Sequence, residues 1–207
     1  MIKYILVALA FGIIAGYVNN NYGPAFPNSW VYDYLFNFSL LLLLFVMGFA
    51  FGADKQTAAN LRKTGWKIFI VPLSIAVGSI LGGLVGGYIL GINLAGSMAV
   101  SAGFGWYTLA GPLVGQFFGA EFGALSFAAN FLRELFTILA VPLLVKAGKY
   151  APIASGGATA MDTTLPVIVR YCGSESLIIA FLSGFMLSLI APFIITAIAS
   201  LPNALGF

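Results

Sequence analysis

Five long apolar runs, at 2–18, 34–53, 68–90, 122–145 and 177–201, dominate the chain, with polar residues gathered between them. A helix needs about 20 apolar residues to cross a hydrocarbon core of ~30 Å, so each run predicts a transmembrane helix. Strands of a membrane barrel would be ~10 residues long with alternating polarity, and these runs are continuous. Two further stretches, 94–119 and 151–173, are apolar but interrupted. The first contains GFGWYTLAGP and the second SGGATAMDTTLPVIV, with Gly, Ser, Thr and Pro where a plain span carries Leu and Ile. Such breaks free backbone groups from helical partners, which membrane depth tolerates only inside protein or beside water. The plainer alternative is a kinked helix re-satisfied by its neighbours.

The pattern predicts an all-α integral membrane protein forming one domain over 1–207. It has five full transmembrane helices plus two broken or re-entrant segments; seven full spans are the alternative. Two N-terminal helices occupy 1–53 and a C-terminal helix 175–201. The segments 68–118 and 121–173 are candidate inverted-repeat units, because residues 103–112 and 157–166 each place Gly and Pro nine positions apart. Inverted repeats of this kind put binding sites at the bilayer midplane, between broken helices.

Orientation follows the basic residues. Lys55, Arg62, Lys63 and Lys67 lie in one short loop, which is therefore expected in the cytoplasm. That puts the N-terminus inside and the C-terminus outside in both arrangements. Re-entrant segments would also bring Lys146, Lys149 and Arg170 inside and leave no loop Lys or Arg outside, which favours five spans. A cleaved signal peptide fits poorly, because Ala8-Leu9-Ala10 comes too early in a run that continues to Val18.

Composition narrows the class. Of 207 residues 61% are hydrophobic and 7% charged, against roughly 25% charged in a soluble domain. Such a chain cannot clothe a water-facing globule, so soluble enzymes and nucleic-acid binders are excluded, and no enzyme activity is expected. The net charge of +3 reads as cytoplasmic loop charge. Histidine is absent and Cys172 is the single cysteine, so no disulfide, metal site or cofactor is expected. Cys172 itself reads as a small apolar filler.

Three charges sit where an apolar stretch should exclude them: Arg133, Glu134 and Asp162. A charge at bilayer depth costs ~2.5–3.5 kcal/mol on insertion scales and usually faces a cavity or the bundle interior. Asp33, Asp54, Glu121 and Glu175 read as interfacial. Ser126, Asn130, Glu134 and Thr137 recur at helical spacing, a polar stripe expected to line a path for water or substrate. Arg133 points about 100° away from Glu134. It is expected to pair with a carboxylate elsewhere, to hold a substrate carboxylate, or to glue helices through a structural ion pair. Asp162, Thr163 and Thr164 follow Gly156 and Gly157, which let the backbone unwind. Freed carbonyls with these side chains would make a cation site; a helix N-cap is the alternative. Gly103, Gly105, Trp106, Tyr107 and Thr108 would form the matching loop, with the aromatics lining a passage or anchoring at the interface.

Three motifs, SAGFGWYTLAGP at 101–112, AANFLRELFTILAVP at 128–142 and GGATAMDTTLP at 156–166, together resemble the bacterial and archaeal lysine exporter family. The resemblance is best from about 97 to 191. It implies export of L-lysine and similar cationic amino acids across the inner membrane. It also implies dependence on intramembrane acids, which by motif are Glu134 and Asp162. Proton antiport would then release the cation as a carboxylate is discharged; Na⁺ is the other candidate coupling ion. Members with extra N-terminal segments are longer than this chain, which implies a separately encoded small subunit or a homodimer as partner. A transporter for another substrate, or a channel subunit, is the competing class.

Overall fold

The computed structural model describes residues 2–21, 34–35, 37–53 and 67–205, and among these every regular element is helical. Lys55, Arg62, Lys63, Asp33 and Asp54 lie outside the described residues. The chain divides into two compact units, 1–54 and 55–207. In the first, α1 (Ile2–Asn21) and α2 (Asn37–Ala53) cover the first two apolar runs. Phe45 and Phe49, one turn apart on α2, stack with ring centroids 6.4 Å apart. They are exposed, as is Phe11 on α1, which suits a surface solvated by lipid tails.

The second unit is built on three long helices, α3 (Lys67–Leu90), α6 (Ala120–Ala147) and α9 (Ser176–Leu205). Over 69–90, 120–147 and 176–201 they are long and apolar enough to cross a bilayer. Between them lie two interrupted pairs at the positions expected from sequence. The first is α4 (Leu94–Ser101) and α5 (Tyr107–Phe118), separated by a turn at 102–106. The second is α7 (Ala151–Gly156), a 3-10 turn (Gly157–Met161) and α8 (Leu165–Cys172). At ~1.5 Å per residue none of these short helices reaches more than about 18 Å.

Each pair begins and ends at the same end of α6. Asn93 caps α4 by accepting from Gly96 N–H at 2.8 Å. A side chain on Gly96 would run into the Phe122 ring, so the first turn of α4 lies against the first turn of α6. Gly119, at φ +90, turns α5 into α6, and the two helices close on each other where Gly111 and Gly115 face Gly123. The second pair is tied at the far end: Lys149, just past α6, and Glu175, just before α9, pair at 2.8 Å. The hydrogen bond and charge of each partner draw the Glu175 carboxyl down and the Lys149 ammonium up.

The two breaks therefore approach from opposite ends of α6, and they meet. Ala158 N–H donates to the Phe104 carbonyl at 2.8 Å. Gly184 on α9 lets that helix lie against Ala158 and Met161. Lipid offers helices no hydrophobic drive to associate, so close backbone approach at small residues and interhelical hydrogen bonds carry the packing.

Candidate functional site

The crossing is held by two side chains of α6. Asn130 is buried and uses three of its hydrogen-bonding positions. Its Oδ1 accepts from Gly105 N–H at 2.7 Å, and its Nδ2 donates to the Val100 and Ser126 carbonyls, each at 2.9 Å. It thus gives a partner to two backbone groups at the break, at Val100 and Gly105, and braces itself on its own helix at Ser126. Arg133 likewise gives partners to backbone groups at the other break. Its Nε donates to Ser155 O at 2.8 Å and its Nη2 to Ala154 O at 2.9 Å, at the carbonyl end of α7. Its Nη1 donates to Ser79 Oγ on α3 at 3.0 Å. The Thr137 hydroxyl contacts Ser155 Oγ at 2.7 Å.

Backbone geometry makes the crossing possible. Gly157 (φ +60) has no room for a side chain, which would strike the Phe104 carbonyl and lie 3.0 Å from Arg133 Nη2. Gly105 (φ +103) faces the Gly156 carbonyl less tightly, at 3.1 Å from where a side chain would begin. Phe104 itself sits at φ +53, fully buried, a conformation that costs a non-glycine residue of order 1–3 kcal/mol and persists only where the surroundings over-determine it.

The polar stripe of α6 therefore faces the two breaks. Asn130 and Thr137 are bonded into them, and the buried Ser126 hydroxyl has no hydrogen-bond partner among the described residues. Glu134 is half-buried, and its Oε2 is buried without a partner among the described residues. Asp162 is exposed; its Oδ1 accepts from Thr163 N–H at 2.6 Å and lies 3.3 Å from the Thr163 hydroxyl. Capping is not its task, because α8 is preceded by Thr164, whose side chain makes no cap bond. Thr163 is exposed, and Thr164 is buried beneath Gly156 with its hydroxyl 3.4 Å from that of Thr159.

Tyr107 lies close enough to Glu134 and Asp162 to feel the charge of both. Its ring is fixed edge-on against Phe127 and Phe131, at 5.3 and 5.5 Å between centroids. Trp106 is half-buried at the start of α5, and Thr108 is exposed. Arg133 contacts backbone carbonyls and a serine and makes no ion pair among the described residues, so the expected Arg–acid pairing is not formed there. Sequence reasoning missed Phe104, Ala158, Ser155 and Ser79. Their roles come from where two distant breaks cross, and no local pattern marks them.

Two broken helices that cross beside acids with no basic partner among the described residues, within a unit of long apolar helices, have the build of a membrane transporter. The sequence profile of the lysine exporter LysO family matches residues 6–199, and the chain belongs to that family. It is 35% identical over 160 residues to the lysine exporter LysO of Escherichia coli K12, covering 76% of this chain and 52% of that protein. It is 27% identical over 201 residues to a Haemophilus influenzae protein named "Putative lysine exporter", covering 96% and 98% respectively. The chain thus spans about half the length of the first relative and nearly all of the second. No solved structure matches.

Proposed function

We propose that this chain exports L-lysine and similar cationic amino acids across the inner membrane by proton antiport, with Glu134 and Asp162 as the groups that exchange ammonium for proton. The observation that carries the reading is the buried oxygen of Glu134, without a partner among the described residues, beside the crossing, with Tyr107 and a second acid, Asp162, nearby. A carboxylate so placed is costly when ionised and alone. It is stabilised by a bound ammonium or by a proton, and the two exclude each other, which is the logic of exchange. Thr163 and Thr164 complete the cation site, with the glycines at 103, 105, 156 and 157 shaping the backbone around it. Trp106, Tyr107 and Thr108 line the approach with Ser126.

In this reading both broken pairs are re-entrant and the chain has five full spans, with 68–118 and 121–173 as inverted units. The Lys149–Glu175 pair and the Gly96–Phe122 contact support it, because each joins the start of a broken pair to its finish. The basic loop, Lys146, Lys149 and Arg170 then lie in the cytoplasm and the C-terminus outside. A second copy of the chain or a small membrane subunit is the proposed partner. The test is lysine efflux from cells expressing Glu134→Gln or Asp162→Asn. Each variant should insert normally and lose export. Wild-type efflux by either, at matched expression, would contradict the two-acid exchange.

A further inference from the structure

Beside the crossing, a cavity of about 330 Å³ opens between α3, α4 and α6. Arg133 lines it, along with Ser79, Gly82, Gly86, Ser97 and Ser101. Two ridges of glycine on α3 shape it. Gly83 and Gly87 are filled by Ser101 and Ser97 of α4, while nothing lies within 4 Å of where a side chain on Gly82 or Gly86 would begin.

The donors in the cavity can be counted. A guanidinium carries five N–H groups. Three of those of Arg133 are engaged, to Ser155, Ala154 and Ser79. Two N–H groups remain, one on each terminal nitrogen. Ser97 and Ser101 donate their hydroxyl protons to the Asn93 and Met98 carbonyls, within their own stretch of chain. Ser79 accepts from Arg133, and its own proton has no acceptor among the described residues.

Arg133 is the fourteenth residue of the 28-residue α6, so this cation lies at mid-membrane depth. It is partly buried and has no acidic partner among the described residues. The carbonyl end of α7 offsets only part of its charge, since a helix terminus carries about half a unit. The groove's walls are mostly apolar, and Arg133 and Ser79 form a polar end where two N–H groups and a hydroxyl would hold a carboxylate.

We propose that this groove binds the α-carboxylate of the exported amino acid, through the two spare N–H groups of Arg133 and the Ser79 hydroxyl. The proposal rests on the export reading above and adds to it which residues hold the carboxylate end of the substrate, and so what a decarboxylated amine would lose. Arg133 and Glu134 are consecutive on α6 and point about 100° apart, so the anionic and cationic ends of one solute would be read from adjoining faces of that helix.

The test measures thermal stabilisation of the purified full chain in detergent by a panel of amino acids and by their decarboxylated amines, including L-lysine and 1,5-diaminopentane. L-lysine should act at a concentration about tenfold or more below the diamine, as charge-assisted bonds predict. Gly86→Leu fills the groove at a position open enough to leave the fold intact, and should erase that advantage while the diamine response stays the same. If another amino acid stabilises and its amine does not, the lysine reading fails and the groove proposal stands. Equal action of lysine and its diamine on the wild type overturns the groove proposal and leaves the export reading untouched. The groove proposal is also overturned if no panel member stabilises, or if Gly86→Leu changes only the oligomeric state, as a helix-docking face would.

Discussion

Asn130→Ala tests whether one side chain holds the first break in place. The substitution removes three buried hydrogen bonds and leaves Gly105 N–H buried without its acceptor. At a net ~1 kcal/mol per bond, with an added penalty for the orphaned donor, the loss is about 3–4 kcal/mol. Asn93→Ala is the matched control, because it removes one cap bond at the exposed start of α4 and should cost ~1 kcal/mol. For a chain of this size each kcal/mol moves the midpoint by roughly 2–4 °C. Thermal unfolding in detergent should therefore fall by about 6–16 °C for Asn130→Ala and by about 2–4 °C for Asn93→Ala. Lysine flux should fail in the first and survive in the second. Equal shifts in the two variants would refute the claim that Asn130 holds the backbone of the first break.

Gly157→Ala should destabilise far more than Gly119→Ala. Both glycines have positive φ, but only the first has a neighbouring carbonyl in the way, so thermal midpoints of the two variants isolate the contact between the breaks. In a Cys172→Ser background, Lys149→Cys and Glu175→Cys should react with an impermeant maleimide from the same side of the membrane. Labelling from opposite sides would establish a full span between them. Glu175→Gln should leave the thermal midpoint unchanged from about pH 5 to about pH 8, because the pair is exposed and screened. Its sign is fixed: the folded carboxyl is held low, so whatever the pair contributes is present above the ordinary carboxylate range and fades as pH falls through the lowered value. A clear drop at neutral pH would contradict that.

Much of this architecture was legible in the chain. Continuous apolar runs marked α3, α6 and α9, because a lipid solvent demands length and apolarity and little else. The breaks were legible because glycine, threonine and proline are clustered in them together with a charge or a tight turn, whereas the glycines and proline of α3 are spread along a helix that stays intact. The acids stood out for the same reason. The crossing was not legible. That Phe104 would take a left-handed conformation, or that Ala158 would donate to it, depends on two segments more than fifty residues apart. Nor could spacing tell what Arg133 touches. Its periodicity leaves it off the polar stripe, and only the fold brings the carbonyl end of α7 and Ser79 to it.

The same limit applies to the stripe itself. Helical spacing placed Ser126, Asn130, Glu134 and Thr137 on one face, and they share one. Spacing could not say whether that face meets water or backbone. Asn130 and Thr137 bond the breaks, while one oxygen of Glu134 has no partner among the described residues. This division is physical: amides and hydroxyls can donate to stranded backbone carbonyls at little cost, whereas an ionised carboxylate has no proton to donate to a carbonyl and is left for a cation or a proton.

The most direct test of the exchange is counterflow in proteoliposomes holding this chain alone. Labelled lysine should accumulate against its gradient when a pH gradient is imposed, collapse when the gradient is dissipated, and fail to accumulate with Glu134→Gln. Accumulation that ignores the pH gradient, or that persists in Glu134→Gln at equal reconstitution, would contradict proton exchange through that carboxylate.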